Sequence, residues 1–245
     1  MSLYNKAKDA AYKTAMESHL CALGRPLSYI AENFPKYCRR QELTRFLARH
    51  EMFQKILEVK GSIIECGVYS GSGLMAWAQL SAILEPMAFW RRIYGFDTFE
   101  GFPSVSAEDA SRSKSSASRV GDLNDGGYED LVECVKLFDQ NRFLSQFPKV
   151  FPVRGDFCLT GEQFLKDNPH LLVALLYLDF DLYEPTKKAL ELFLPRMPKG
   201  AILGFDEVNN PEWPGETLAV LECLSIRDLE IRKFPYEPNM AYVRL

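Results

Sequence analysis

From Gly61 onward the chain alternates short apolar runs with stretches of helical period, which predicts parallel βαβ units. Strands are expected near 62–67, 92–97, 149–153, 171–179 and 200–206, with helices near 72–85, 128–145, 160–167, 185–195 and 215–225. The run Leu171–Leu178 carries eight residues without a charge or turn former, the mark of a strand buried on both faces of a parallel sheet. Leu229–Phe234 and Ala241–Leu245, joined through Pro235 and Pro238, read as an antiparallel pair at the sheet edge. Residues 1–58 are helical in pattern. Phe46, His50, Phe53 and Leu57 share one helical face there, with His50 read as a packed residue, and Pro26 and Pro35 punctuate the stretch before it. This divides the chain into a helical extension, 1–60, and an α/β domain, 61–245.

One segment breaks the rhythm. Residues 104–127 hold seven serines and three glycines, with only Val105, Val120 and Leu123 as large aliphatics. A connection of that length without structure is usually a functional lid or is disordered, and its place after a candidate ligand strand favours a lid.

Composition adds exclusions. An apolar fraction of 47% and a charged fraction of 25% are those of an ordinary globular protein, and a net charge of −4 argues against nucleic acid as a partner. Residues 1–60 are locally basic, eleven Lys/Arg against six Asp/Glu, read as solvated helix faces. No apolar run approaches the roughly 20 residues of a membrane span, and the first residues lack the apolar core of a secretory signal. Six cysteines without CxxC spacing fit a reduced, cytoplasmic protein.

The candidate chemistry lies where the strands end, as ligand sites of open α/β sheets do. The first strand runs into Glu65-Cys66-Gly67-Val68-Tyr69-Ser70-Gly71-Ser72-Gly73, a glycine-rich turn into a helix. Its G-x-x-x-G-x-G spacing differs from the dinucleotide fingerprint. Glu65 is an acid able to meet a cationic ligand. Asp97 ends the second strand, where an acid accepts from ribose hydroxyls or, alternatively, caps the next segment. The turn and Asp97 together favour an adenosine-type ligand. Asp156 ends the third strand with Phe157 beside it; an adenine contact and a plain helix cap are both open. Asp179 and Asp181 follow the buried run, and Asp206-Glu207 follow the next strand. Four acids at neighbouring strand ends suit a hard cation such as Mg²⁺, Mn²⁺ or Ca²⁺. If the strand reaches that far, Asp179 and Asp181 share a face. Ion pairs with Lys187, Lys188 or Arg196 are the structural alternative.

Glu65–Gly71, Gly95–Phe102, Gly155-Asp156-Phe157, Leu178–Thr186 and Phe205–Glu216, in this order, resemble the macrocin O-methyltransferase (TylF-type) family of sugar O-methyltransferases. The resemblance implies a class I methyltransferase (Rossmann-like) fold: a seven-stranded, mostly parallel sheet with an antiparallel C-terminal edge strand, plus N-terminal helices. It implies S-adenosylmethionine and a divalent metal, usually Mg²⁺, as cofactors. Asp179, Asp206 and Glu207 would hold the metal, and Asp181 would be the general base, with Asp179 the alternative. Glu65, Gly67, Tyr69, Ser70, Asp97, Thr98, Asp156 and Phe157 would line the cofactor site. A (deoxy)sugar or glycoside acceptor, on a natural product, a nucleotide sugar or a glycan, and a homo-oligomer are implied as well. Relatives often carry Asp-Asp where this chain has Asp206-Glu207, which bears on metal preference. Trp213, Phe99 and Phe102 are candidate sugar-stacking surfaces. Two other readings stand beside this one: a metal-dependent nucleotide-sugar glycosyltransferase using Asp179-x-Asp181, and a non-catalytic adenosyl-ligand-binding protein.

Overall fold

The structure is a computed structural model and describes residues 6–112 and 119–245. Two compact units are present, residues 1–44 and 45–245. The first holds α1 (Lys6–Leu23) and α2 (Leu27–Glu32), followed by a short 3₁₀ turn at Phe34–Lys36. The boundary falls inside α3 (Arg40–Lys55), earlier than residue 60.

The second unit is a seven-stranded sheet. Its strands are β1 (Ser62–Cys66), β2 (Ile93–Asp97), β3 (Val150–Arg154), β4 (Val173–Leu178), β5 (Ile202–Phe205), β6 (Arg232–Lys233) and β7 (Ala241–Arg244). Their order is β3-β2-β1-β4-β5-β7-β6. The first five are parallel, and β7 runs antiparallel between β5 and β6. The expected C-terminal antiparallel pair is present, with the two-residue β6 as the edge. The connecting helices are α4 (Ser72–Leu84), α5 (Ala107–Arg112), α6 (Tyr128–Gln140), α7 (Phe157–Asp167), α8 (Tyr183–Phe193) and α9 (Pro214–Cys223).

The alternation of side chains along the strands explains the two cores. Ile63, Leu175 and Tyr177 pack on one face with Met52, Phe53, Leu74 and Trp77. Ile64, Leu176 and Leu178 pack on the other with Phe157, Phe193 and Val220. Every residue of β4 is buried, as its unbroken apolar run requires.

Three expectations shift. The buried face of α3 is Ala48, Arg49, Met52 and Phe53, while Phe46 and Leu57 stay 39% and 40% exposed. The expected Phe46–His50–Phe53–Leu57 stripe is therefore rotated, because arginines face inward. Helix α8 starts at Tyr183, with Pro185 in its first turn, where a missing N–H costs nothing. Segment 104–127 is not wholly structureless: it contains α5, and Phe102 exchanges backbone hydrogen bonds with Gly121 and Asp122. The expected lid lies partly outside the described residues, at 113–118.

Candidate active site

The order of the sheet reverses between β1 and β4, and the crevice of such a sheet opens at the carboxyl ends of those strands. Gly67 and Asp179 are the residues that leave them. Asp179 N–H donates to the Cys66 carbonyl at 2.7 Å. Gly67 adopts φ +93°, and a Cβ there would lie 1.9 Å from the Asp179 carbonyl oxygen. This glycine therefore serves the close approach of two chain segments.

A cavity of about 360 Å³ opens over these ends. It gathers Gly67, Tyr69, Asp97, Thr98, Asp156, Phe157, Asp179, Asp181, Asp206 and Glu207, ten of the predicted residues, together with Arg45, Phe102 and Trp213. Glu65 and Ser70 are not among its lining residues. Glu65 is 1% exposed and faces Arg49 at 3.8 Å beneath the turn; Gly73 leaves room for that pair, since a Cβ there would meet Glu65 Oε1 at 2.0 Å. The Ser70 hydroxyl bonds to Asp125.

Asp97 organises the turn: Oδ2 accepts from the amides of Val68 at 2.7 Å and Tyr69 at 2.8 Å, and Oδ1 accepts from Phe99 at 2.7 Å. The capping alternative is thus realised, while the carboxylate still lines the cavity. Asp156 likewise caps α7, accepting from the Cys158 amide at 2.9 Å. Phe157 is 2% exposed and packs edge-on against Phe96 and at a tilt against Phe180 and Phe193. Thr98 closes a tight turn on the Gly101 carbonyl at 2.6 Å. Of the candidate stacking aromatics, Phe102 and Trp213 meet edge-on at 5.9 Å and line the cavity. Phe99 is instead packed on Tyr128.

The acids follow a different geometry from the one expected. Strand β4 ends at Leu178, so Asp179 and Asp181 do not share a strand face. Asp181 reaches the cavity through a left-handed conformation, φ +63°, and Tyr69 does so at φ +50°; non-glycine residues hold such angles only where their surroundings enforce them. Lys187 and Lys188 pair with Glu222 and Glu162, and Arg196 bonds the carbonyls of Pro169 and Leu171, so none of them neutralises the acids. Arg45 does, and no sequence reading singled it out. Its Nη2 donates to Asp206 Oδ1 at 2.7 Å and its Nη1 to Oδ2 at 3.3 Å, and Nη2 lies 3.7 Å from Asp179. Tyr177 adds its hydroxyl to Asp206 Oδ1. Glu216, fully buried on α9, accepts from the Glu207 amide at 3.0 Å through Oε1, and its Oε2 has no hydrogen-bond partner among the described residues.

One guanidinium among so many carboxylates sets their proton affinities apart. Burial opposes the charge of Asp206, but Arg45 and the Tyr177 hydroxyl prevail and hold its carboxyl below the ordinary range. Burial, reinforced by the Asp206 charge, raises Asp179 well above that range and pushes Asp181 and Glu207 up to about 8.

In chemistry this donor set suits a hard divalent cation, since Asp179, Asp206 and Glu207 offer only oxygens. Among the described residues, no three His, Cys, Asp or Glu are grouped closely enough to hold a metal ion.

Sheet order, glycine turn and acid-rimmed crevice define a class I methyltransferase fold. The profile of the macrocin-O-methyltransferase (TylF) family matches residues 39–214, and the chain belongs to that family. It is similar to the solved structure of CalS11, a calicheamicin methyltransferase, with 33% identity, a TM-score of 0.92 and coverage of 99% of this chain and 94% of that one. A second, apo structure of CalS11, described as a TDP-rhamnose 3'-O-methyltransferase, matches at 31% identity and TM-score 0.84, covering 99% and 96%. The 8-demethyl-8-(2,3-dimethoxy-alpha-L-rhamnosyl)-tetracenomycin-C 4'-O-methyltransferase of Streptomyces olivaceus is 30% identical over 150 residues, 61% of this chain and 53% of that protein. The chain thus spans about half the length of this curated relative.

Proposed function

We propose that the protein transfers the methyl group of S-adenosylmethionine to a hydroxyl of a sugar, in particular a rhamnose-type deoxysugar carried by a nucleotide or a natural-product glycoside. The observation that carries the proposal is the single cavity in which the Gly67–Tyr69 turn and Asp97 face Asp179, Asp181, Asp206 and Glu207. The likeness to CalS11 along nearly the whole chain supports the deoxysugar acceptor.

In this reading the cofactor occupies the side of the cavity bounded by Gly67, Tyr69, Thr98, Asp97, Asp156 and Phe157. Asp97, already committed to the turn's amides, keeps the loop in shape and offers its remaining lone pairs to the ribose. Phe102 and Trp213 present edge and face to the apolar side of the sugar. Asp181, once deprotonated, takes the proton of the reacting hydroxyl, with Asp179 the alternative base. Aligning that hydroxyl with the sulfonium methyl accounts for much of the acceleration, up to about 7–11 kcal/mol in the best intramolecular cases. Asp179, Asp206 and Glu207 would hold Mg²⁺ or another hard divalent cation. When bound, it would orient the acceptor diol and acidify its hydroxyl. Homo-oligomer formation, which light scattering would reveal, belongs to the same proposal.

Calorimetric titration with S-adenosylhomocysteine and with UDP-glucose, each with Mg²⁺ and with EDTA, tests the reading. Adenosyl-ligand binding that survives EDTA, without a UDP-sugar signal, supports it and justifies screening sugar acceptors. Metal-dependent UDP-sugar binding without an adenosyl signal would reassign Asp179-x-Asp181 to glycosyl transfer.

A further inference from the structure

We infer that Arg45 is the resident counter-ion of the acidic cluster, filling by its guanidinium the place a divalent cation takes, and that the metal must displace it from Asp206 to bind. This rests on the proposed metal site. Among the described residues lining the cavity, Arg45 is the only Lys or Arg. It grips both oxygens of Asp206 and lies 3.7 Å from Asp179, so it spans two of the three carboxylates assigned to the metal. A carboxylate held on both oxygens by a guanidinium, with a tyrosine hydroxyl on one of them, has little capacity left for a second cation. Two positive charges at that distance also repel.

The partner able to move is Arg45. Its side chain is 32% exposed, against 6% for Asp206. Asp206 is fixed from behind by Tyr177, which is fully buried in the core, so the carboxylate stays in place when the guanidinium leaves. Arg49, one turn further along α3, cannot substitute for it. Its side chain is 7% exposed, pairs with Glu65, and lies over the rings of Trp77 and Tyr177 at 5.8 and 5.3 Å. One arginine is thus locked below the sheet end and the other is left adjustable above it. The device keeps a charge-rich site folded without metal and sets the threshold metal concentration at which the site loads.

The test is Mn²⁺ binding, measured by calorimetry and by the spin-resonance signal of free Mn²⁺, on the full chain without methyl donor or acceptor. Arg45→Gln should bind Mn²⁺ at least about tenfold tighter than the parent, since a competing charge has gone. Arg45→Lys, which keeps the charge but loses the two-point grip, should fall between them. Unchanged or weaker binding by Arg45→Gln with parental circular dichroism would overturn the inference, because Arg45 would then organise Asp206 for the metal. Should Arg45→Gln fail to fold, Arg45→Lys decides: tighter binding supports the inference and unchanged or weaker binding overturns it. Parental binding that no Arg45 variant tightens leaves the metal site standing and removes only the displacement. Absence of Mn²⁺ binding in the parent and in both variants removes both.

Discussion

Asp179 and Asp206 sit at the ends of adjacent parallel strands, yet only Asp206 is fastened by hydrogen bonds from Arg45 and Tyr177. Replacing either by Asn keeps the shape and removes a carboxyl assigned to the proposed metal site. Asp179→Asn or Asp206→Asn should reduce methyl transfer below about 1% of the parent, while S-adenosylhomocysteine affinity stays within about threefold. Full activity in both variants, in a radiolabelled methyl assay, would sink the metal assignment. Gly67 tests the crevice itself. Gly67→Ala forces a Cβ to within 1.9 Å of the Asp179 carbonyl at φ +93°, and should cost more than about 3 kcal/mol in urea denaturation. Glu65 gives a pH signature. Burial outweighs its pairing with Arg49 and raises its carboxyl from 4.5 to about 8. A carboxyl whose folded value exceeds its unfolded one holds more protons when folded, so its contribution to stability falls as pH rises between the two. Glu65→Gln should therefore show a shallower loss of stability than the parent between pH 5 and 8; parallel slopes would mean that Glu65 titrates normally.

At the scale of elements, the start of α8 places Asp181, the proposed general base, which lies two residues before it. Leu182 gives that helix no side-chain cap. The cap comes from Asp109 of α5 instead, whose carboxylate accepts from the Tyr183 amide at 3.1 Å and from the Ser106 hydroxyl at 2.8 Å. Asp109 is 2% exposed, and Gly215 leaves the space it occupies. The insert is thus fastened to the helix that follows Asp181. Asp109→Ala should cost about 1–2 kcal/mol in thermal or urea melts and raise the KM for the acceptor more than that for S-adenosylmethionine. An unchanged melting temperature would show that α8 needs no cap from α5. No sequence signal assigned Asp109 this role. A cap donated from 74 residues away leaves no local pattern, whereas Asp156, which caps its own helix, was legible as one of two readings.

For the whole molecule, the cofactor reading predicts a linkage. A ligand that binds only the folded chain stabilises it by about 2.7 kcal/mol at a hundred times its dissociation constant. S-adenosylhomocysteine should therefore raise the melting temperature with or without EDTA, while methyl transfer is lost in EDTA. A ligand-induced shift that needs Mg²⁺ would tie cofactor binding to the acidic cluster and revise the division of the cavity.

The order of strands and helices, the doubly buried β4 and the acids that line the cavity could be read from the chain, because apolar period and strand-end acids are local properties of sequence, while Tyr69 and Thr98 came only with the family resemblance. The tertiary structure decided what those residues face. It set Glu65 against Arg49 beneath the turn, fastened Asp97 to backbone amides, ended β4 before Asp179, and brought Arg45 onto Asp206 from 161 positions away. In a sequence, Arg45 and Arg49 are two charges on a helix and pass for a solvated face. Folding turns them inward because buried carboxylates at the ends of β1, β4 and β5 need positive charge nearby. Such a pairing is a property of the folded chain, since the cost of burying an ion depends on everything that surrounds it.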